Sequence, residues 1–465
     1  MFIGRKEELQ FLEDRYQSNA AQLIVLYGRR RIGKTETLRH FCENKPHVFY
    51  SCTECTDDQQ LKGFSERMLK TGMPAGQYIN SFASWEQAFR SILELPGDQK
   101  KLLIIDEFPY MVKNNSEIPS ILQNLWDLLL KDSSVMIILC GSAMSFIEKG
   151  ILAEKNPLYG RATGILKMKE MSFYDAIQFV PNYTAEEKIA TYAILGGIPH
   201  YLKQFRDNIP LAANIKQNIL SRGSILYSEV EFLLRQELRE TTTYNTIITA
   251  IALGNTKLND IYTKTQIEKT KLNVYLKNLS DLGILYREFP VADTIKEQAN
   301  VQRGIYRLTD HYFRFWYAFV FPNLSELESG DADGVWEYII QDKLDDYISF
   351  IFEDICKQYL RIKNRRNELS FHFSQIGRWW NKTDEIDILA TDSDKTHLLV
   401  GECKYRNNPF PLSELTKLQH KLPIQQNNKY IEYWLFSKTG FTKDITAITD
   451  LTIHPITLDE IVNPK

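Results

Sequence analysis

The segment from Gly28 to Thr35, GRRRIGKT in one-letter code, limits the possible folds of this chain more than any other feature. It follows a short apolar run at residues 23–27, which is typical of a strand buried on both faces of a parallel sheet. A helical pattern begins at Thr35. Glycines let backbone amides turn towards an anion, and the following helix directs the positive end of its dipole to the same place. The segment therefore predicts a phosphate-binding loop between a strand and a helix.

The residue types in this loop predict a nucleoside triphosphate with Mg²⁺ as the ligand. Lys34 is expected to reach the β- and γ-phosphates, and Thr35 to place its hydroxyl on the metal ion. The backbone amides that surround the phosphates are expected to come from Gly28, Arg29, Arg30, Arg31, Ile32 and Gly33. We therefore expect ATP and Mg²⁺ as cofactors.

Acidic and polar residues follow two further apolar runs. Asp106 and Glu107 end the run at residues 102–106, and Ser142 follows the run at residues 135–140. We expect Asp106 to hold Mg²⁺ through water, and Glu107 to orient and activate the attacking water. The alternative for this acidic pair is a surface cap on a helix. Ser142 either senses the γ-phosphate or is a turn residue.

Alternating strands and helices predict a doubly wound α/β domain over residues 1–165. Besides the three apolar runs already described, strands are predicted at residues 47–51 and 164–168. Helical patterns at residues 85–95 and 118–130 separate the strands.

The middle of the chain changes character twice. Residues 166–235 are mainly helical, with a break at the sequence LGGIPH that ends at His200. Residues 236–309 carry three helical patterns and two strand-like segments, which together predict a winged helix-turn-helix. The helices are predicted at residues 244–253, 258–263 and 267–282, and the strands at residues 284–288 and 304–308.

The third of these helices has both a polar and an apolar set of side chains. The polar set suits phosphate and base-edge contacts on DNA, or is simply a solvated face. Its members are Lys269, Lys271, Asn273, Lys277 and Asn278. The apolar set is expected in the core and comprises Leu272, Val274, Leu276, Leu279 and Leu282.

Residues 310–465 predict a second, smaller α/β unit that contains a cluster of acids and a lysine. Glu402 and Lys404 share one face of a strand-like segment, because side chains two residues apart on a strand point the same way. Asp387 lies in a preceding strand and would lie beside Glu402 if the two strands are antiparallel. Glu353, in a helix predicted at residues 343–360, adds a third carboxylate. Asp387 and Glu402 are the expected ligands of a metal ion that promotes phosphodiester cleavage.

Basic residues precede the acidic cluster and are interleaved with Trp379 and Trp380. Such a pattern suits a nucleic-acid backbone with stacked bases, or it is a solvated helix end. The net charge of -3 provides no overall attraction to DNA, so any contact must come from local patches of this kind. The basic residues are Lys357, Arg361, Lys363, Arg365, Arg366, Arg378 and Lys382.

Composition and termini predict a cytoplasmic protein without a membrane partner. No apolar run approaches the length of a membrane span, and the first residues lack the pattern of a secretion signal. Six cysteines in 465 residues do not form a disulfide framework. Cys52 and Cys55 form a lone C-x-x-C pair, which we interpret as ordinary thiols rather than half of a zinc site.

The N-terminal motifs together resemble the prokaryotic ATPase branch of the STAND/AAA+ P-loop proteins. The resemblance rests on FIGRKEEL at the start, the loop at residues 28–35, the runs ending at Glu107 and Ser142, and GGIP before His200. It implies a helical lid over residues 166–235. It also implies that Ile3, Gly4 and Arg5 lie against the adenine, and that Gly197 and Pro199 touch the nucleotide. Arg161 could act as an arginine finger from a neighbouring subunit, or it is a surface arginine.

The C-terminal order of a helix acid, a strand aspartate and Glu-x-Lys resembles the PD-(D/E)XK nuclease superfamily. The residues that carry the resemblance are Glu353, Asp387, Glu402 and Lys404. It implies a restriction-endonuclease-like fold for residues 310–465, with or without catalysis. The same region resembles the C-terminal domain that accompanies these ATPases and has no assigned activity.

Two functional hypotheses follow from these motifs. In the first, ATP binding and hydrolysis switch the lid and winged helix, which gate a C-terminal domain that acts on DNA. In the second, the protein is a signalling ATPase switch: ATP drives formation of a homo-oligomer, and the winged helix and C-terminal domain bind other proteins.

Overall fold

The computed structural model describes residues 2–238, 240–298, 303–421, 430–450 and 452–464. The chain packs into two compact units. The first comprises Met1–Met171 with Ile198–His200, and the second comprises Ser172–Gly197 with Tyr201–Lys465. The finer division into four domains, with boundaries at residues 165, 235 and 309, stays a prediction.

The first unit contains a five-stranded sheet in which every pair of neighbouring strands is parallel. Its order is β2-β3-β4-β1-β5. All five strands were predicted, and β1 and β4 are buried along their whole lengths, as a sheet covered on both faces requires. The strands are β1 Gln22–Tyr27, β2 His47–Ser51, β3 Lys101–Asp106, β4 Val135–Gly141 and β5 Gly164–Lys167.

Helices cover both faces of this sheet, and each face has its own hydrophobic core. The helix predicted at residues 85–95 was too long, since the α-helix ends at Arg90 and continues as the 3₁₀ turn Ser91–Glu94. Pro96 explains why the 3₁₀ turn stops at Glu94, because the residue before a proline is disfavoured in α conformation and Leu95 is extended. The helices are Lys6–Gln17, Lys34–Cys42, Asp57–Leu69, Trp85–Arg90, Phe108–Asn114, Ile118–Leu128 and Met144–Phe146, the last continued by the π-helix Ile147–Ile151.

The second unit begins with helices. Ala185–Leu195 ends at Gly196, whose φ of 64° only glycine adopts readily, and this is the break anticipated from the glycine pair. The helices before residue 240 are Phe173–Ala176, Ala185–Leu195, Leu211–Ile215 with its π-helical continuation Lys216–Leu220, and Ile225–Glu237. The short helix Pro199–Leu202 follows the break.

The segment after residue 240 has the three helices and the hairpin that the sequence indicates. The antiparallel strands are β6 Leu285–Glu288 and β7 Ile305–Leu308. The core assignment of Val274 was wrong: its side chain is 57% exposed, whereas Leu272 and Leu276 are buried. Val274 lies two residues from Leu272, which on a helix places it on nearly the opposite side. The helices are Thr242–Ala252, Leu258–Thr265, Lys269–Asp281 and Ile295–Gln298.

The rest of the second unit is built around a mixed five-stranded sheet of order β12-β11-β10-β9-β8. β8 pairs antiparallel with β9, and β9 with β10, while β10, β11 and β12 are parallel. The long helix Leu344–Arg365 packs on β9 and β10. The strands are β8 Gln375–Trp380, β9 Glu385–Thr391, β10 His397–Lys404, β11 Tyr430–Ser437 and β12 Ile453–Thr457.

Strand β12 is hard to predict from the sequence. Pro455 lies inside β12, and proline argues against a central strand because it has no N–H to donate. The structure accommodates it because β12 is an edge strand. The remaining helices are His311–Phe315, Leu324–Glu328, Ala332–Val335, Leu412–His420, Lys443–Thr446 and Leu458–Val462, with π-helices at Trp316–Val320 and Trp336–Ile340.

None of the helices in the described part of the chain combines the length and the apolar character that crossing a membrane demands.

Replacing Gly28 by alanine is expected to destabilise the first unit. Gly28 follows β1, and a Cβ atom there would lie 2.5 Å from the carbonyl oxygen of Met168, which follows the neighbouring strand β5. Backbone cannot move aside cheaply, so we expect a loss of about 1–3 kcal/mol in the free energy of unfolding, measured by urea denaturation. Gly150→Ala is the control, because its Cβ would meet only Phe146 at 4.0 Å. Equal stability of the two variants would contradict tight packing around Gly28.

Candidate nucleotide site and carboxylate cluster

The strand order of the first unit brings the predicted nucleotide residues to one edge of the sheet. β1 lies between β4 and β5, and β4 lies beside β3. Because the strands are parallel, their carboxyl ends meet, and they deliver Gly28, Asp106 and Ser142 to the same place. The helix Lys34–Cys42 starts directly after the loop, so its N-terminal amides face this edge.

The loop backbone takes conformations that few residues tolerate. Gly33 has a φ of 91° and Arg31 a φ of 71°, both in the left-handed region. Glycine adopts such angles without strain, which explains the glycine immediately before Lys34. Arg31 is exposed, and Arg29 pairs with Glu170 at 3.1 Å. The side chains of Arg29 and Arg31 therefore point away from Lys34, whereas the charge of Arg30 acts on it.

Lys34 sits inside the loop, with only 6% of its surface exposed. Its ammonium donates hydrogen bonds of 2.9 Å to the carbonyl oxygens of Gly28 and Arg29. Burial lowers the pKa of Lys34, while the charges of Glu107 and Asp106 oppose that effect. A desolvated ammonium held only by carbonyl dipoles is well suited to exchange them for phosphate oxygens.

Thr35 and Asp106 form the second part of the site. The Thr35 hydroxyl donates to Oδ2 of Asp106 at 2.8 Å, and Asp106 is 3% exposed. A hydroxyl and a carboxylate in contact are oxygen donors of the kind Mg²⁺ prefers. The residues therefore fit the metal that the motif implies, with Thr35 and Asp106 as the groups that would hold it.

Glu107 is aimed by a strained backbone. Its φ of 51° is left-handed, which is uncommon for a residue with a side chain and is typical of functional sites. The Glu107 carboxylate accepts hydrogen bonds of 2.8 and 2.9 Å from the Ser142 hydroxyl. Glu107 and Ser142 therefore lie together at the edge of the sheet.

The N-terminal residues are tied to the loop by Arg5. Its guanidinium donates to the carbonyl oxygens of Ile32 at 2.6 Å and Lys169 at 2.7 Å, and it pairs with Glu8. Gly4 and Arg5 both have left-handed φ angles, which turn the chain sharply at this point. Arg5 thus supports the loop from behind, while an adenine contact by Ile3, Gly4 and Arg5 stays a prediction.

Pro199 belongs to the same unit and lies near the loop. A Cβ atom built on Gly33 would be 3.6 Å from Cγ of Pro199. A contact of Pro199 with the nucleotide stays a prediction. Arg161, in contrast, pairs with Asp127 of its own chain at 2.9 Å.

In the second unit, Asp387 and Glu402 lie on adjoining antiparallel strands, as the sequence indicates. Oδ2 of Asp387 accepts a hydrogen bond of 2.9 Å from the backbone N–H of Cys403. Glu402 is 3% exposed, and its carboxylate is held by the ammonium groups of Lys404 and Lys421. Lys421 was not anticipated, because only the tertiary fold brings the end of helix Leu412–His420 to β10.

Glu353 approaches the same cluster from helix Leu344–Arg365. Nε of Arg378 lies 3.6 Å from Oε2 of Glu353, and Arg378 also pairs with Glu385. The register of β8 shifts between Gly377 and Trp379, and such a bulge redirects the side chain at that point.

Burial and crowding perturb these carboxyl groups. Burial and the charge of Asp387 raise the pKa of Glu353 to about 8. Burial and the charge of Glu402 raise the pKa of Asp387 to about 6. Like charges at a buried site favour the protonated form, so the cluster holds protons that free carboxyl groups would release.

The cluster has the right chemistry for a hard metal ion but not a convergent set of ligands. Within residues 2–464, gaps excepted, no three His, Cys, Asp or Glu side chains are arranged to hold a metal. The two lysines on Glu402 and the backbone bond to Asp387 already engage these oxygens. Metal binding here would require them to give way.

The basic residues before the cluster do not form the continuous patch that the sequence suggested. Lys357 is buried and pairs with Asp354, and Arg378 is turned inward to carboxylates. Burial of charge is tolerated only with partners, which explains this inward pairing. Lys363 and Arg366 pair with Glu368, whereas Arg361, Arg365 and Lys382 are exposed.

Comparisons with known families agree with the two-part architecture. Residues 2–205 match an ATPase domain predominantly from Archaea. Residues 316–420 match a family of archaeal and bacterial proteins of unknown function. An uncharacterized protein of Methanocaldococcus jannaschii is 35% identical over 408 residues, which cover 88% of each chain.

Two solved structures to which this chain is similar are as follows. The Walker-type ATPase of Pyrococcus abyssi is 21% identical, with a TM-score of 0.51 over 68% of this chain and 96% of that one. The ORC2 protein of Aeropyrum pernix, solved with ADPNP and ADP, is 15% identical, with a TM-score of 0.42 over 70% and 95%. The first of these supports the parallel sheet as the fold of a P-loop ATPase.

The raised pKa of Glu353 predicts a pH-dependent stability. Its pKa is higher in the folded chain than the 4.5 of a free glutamate, so the folded state binds more protons between about pH 4.5 and 8. Glu353 therefore stabilises the folded state fully below about pH 4.5, and this stabilisation is lost as the pH rises to about 8. Urea denaturation at a series of pH values, with a chelator present, should show a shallower decline for Glu353→Gln. An unchanged slope would contradict the raised pKa, and Glu326→Gln, at an exposed glutamate, is the control.

Proposed function

We propose that this chain, which belongs to a family of ATPases predominantly from Archaea with a C-terminal domain of unknown function, binds ATP with Mg²⁺ and hydrolyses it. The observation that carries the proposal is the position of Lys34, whose ammonium is buried at the centre of the loop and bonded to its carbonyls. A buried cation with replaceable partners is what a β,γ-phosphate site requires.

The other residues at this edge have matching roles. Thr35 and Asp106 would hold Mg²⁺, which offsets the charge of the phosphates. Glu107 is the general base that orients water and accepts its proton, and Ser142 holds the Glu107 carboxylate in place. Arg5 keeps the loop in register by its bond to Ile32.

Two substitutions should separate binding from hydrolysis. Lys34→Ala is expected to abolish ATP binding in titration calorimetry, because the loop loses its only buried ammonium among the described residues 28–35. Glu107→Gln is expected to bind ATP but to release phosphate about 10²–10⁴-fold more slowly. Lys131→Ala, at an exposed lysine of the same unit, should behave like the unaltered protein. Phosphate release by Lys34→Ala at the normal rate would refute the assignment.

We further propose that the protein acts on DNA and that the C-terminal cluster is a Mg²⁺-dependent nuclease site. The support is the approach of Asp387 to Glu402 and Lys404 on adjoining strands, in the order typical of a nuclease. Lys404 would help to position the attacking water if Glu402 exchanged its lysine partners for a metal ion. The exposed lysines of helix Lys269–Asp281, Lys269, Lys271 and Lys277, would contact the DNA backbone.

The alternative is a signalling switch in which the same domains bind proteins and ATP drives oligomerisation. The engagement of Glu402 by two lysines favours it, since a carboxylate neutralised in this way is a stable structural pair.

DNA cleavage decides between these alternatives. With Mg²⁺ or Mn²⁺ and ATP, the unaltered protein should cut DNA, and Asp387→Ala or Lys404→Ala should abolish cutting while ATP hydrolysis continues. DNA binding should weaken steeply with salt, as phosphate contacts require. Absence of both cleavage and DNA binding, together with an ATP-dependent increase in molecular size, would refute DNA action and favour the signalling switch.

A further inference from the structure

The second unit contains a cavity of about 110 Å³ that is separate from the nucleotide site and adjoins the carboxylate cluster only through Arg378. Its walls come from the hairpin β6–β7, helix His311–Phe315, helix Leu344–Arg365 and strand β8. Three arginines line it: Arg307, Arg314 and Arg378. A buried arginine destabilises the fold unless an anionic partner offsets its charge, and this applies to each of the three arginines around this small cavity.

Two of the three arginines are neutralised by neighbouring carboxylates. Arg307 pairs with Glu288 across the hairpin, and Arg378 pairs with Glu353 and Glu385. The one carboxylate that lines the cavity, Asp354, is bonded to Lys357. These pairs leave little negative charge for the third arginine.

Arg314 is held in place without an ion pair. Its guanidinium lies 4.5 Å from the ring centre of Tyr347 and 4.8 Å from that of Phe350. Among the residues that the structure describes, no carboxylate lies within ion-pair distance of Arg314. The attraction of the cation to the faces of these two rings holds the guanidinium in position. The side chain is neither buried nor exposed, as expected for a group that lines a cavity.

The remaining polar residues of the wall include three that carry hydroxyl groups, which can donate to an anion. Thr256, Thr309 and Tyr286 contribute hydroxyl-bearing side chains to the lining, and His311 an imidazole. Nδ1 of His311 is engaged by the carbonyl oxygen of Tyr192. Burial lowers the pKa of Arg314 and the charge of Arg307 adds to that effect, while Tyr347, Asp354 and Glu353 oppose it without cancelling it. A bound negative charge would relieve both lowering effects.

The size of the cavity limits the ligand. Pockets for drug-sized molecules measure about 300–1,000 Å³, and this cavity is well below that range. It has room for a small oxyanion and not for a nucleoside. Planar guanidinium groups match the oxygen spacing of phosphate better than any other side chain.

We propose that this cavity binds a phosphate group, and that Arg314 is its principal ligand. The group is either free inorganic phosphate or the phosphoryl end of a small metabolite whose remainder extends through the opening. The site is separate from the nucleotide loop, and it shares Arg378 with the carboxylate cluster. An anion here therefore competes with Glu353 for one guanidinium.

Thermal unfolding with added phosphate tests the proposal. The full chain with Lys34→Ala is the starting protein, so that phosphate binding at the nucleotide loop does not contribute. Inorganic phosphate should raise the unfolding temperature more than chloride at equal ionic strength, since a ligand that binds the folded state stabilises it. Glycerol phosphate tests the metabolite source: a larger shift than with phosphate indicates a phosphorylated metabolite, and a smaller one indicates the free ion.

Substitutions assign the effect to Arg314. Arg314→Met keeps a long apolar stem beside the two rings and is expected to weaken phosphate binding at least about tenfold, as loss of a charge-assisted hydrogen bond implies. Arg361→Met removes an exposed arginine from the same unit and should leave the shift unchanged. If Arg314→Met does not fold, Arg314→Lys should fold and bind more weakly, because it loses the planar fork. No phosphate-specific shift, or an equal shift in the Arg314 variants, would overturn the proposal.

This outcome is independent of the ATPase assignment. If phosphate does not bind in the cavity, the unaltered protein should still hydrolyse ATP. Failure of ATP binding leaves the phosphate shift of Lys34→Ala in place.

Discussion

Parallel pairing of β1 with β4 is the constraint on which the rest of the first unit depends. Both strands are buried along their whole lengths, so their side chains only pack and carry no chemistry. The chemistry begins where the strands end, because parallel strands bring their carboxyl ends to one edge. If either strand ran in the opposite direction, Gly28 and Ser142 would lie at opposite ends of the strands.

A buried charged side chain and a strained backbone lie together at that edge. Lys34 is desolvated and bonded to carbonyls, and Glu107 has a left-handed backbone beside Ser142. Each arrangement costs free energy, and the surrounding core keeps it in place. The site is thereby preorganised for an anion, because the cation and the carboxylates need little rearrangement to meet it.

The second unit differs in that its buried charged side chains pair with one another. Arg307, Arg378 and Lys357 each have a carboxylate partner, and Glu402 has two lysines. Such networks hold the hairpin, the long helix and the mixed sheet in a single arrangement, since breaking any pair leaves an uncompensated charge. Any chemistry at the cluster involves the same network, because the charge of Asp387 changes the pKa of Glu353.

The sequence by itself determined the strands of the first sheet, the loop at residues 28–35 and the strands that carry Asp387 and Glu402. These features depend on local patterns: apolar runs, glycine at strained turns and alternation along strands. Only the tertiary structure decided that Lys357 and Arg378 turn inward, that Lys421 reaches Glu402, and that β12 joins the sheet despite Pro455. The reason is physical: the partner of a charged group and the edge position of a strand depend on residues far away in the chain.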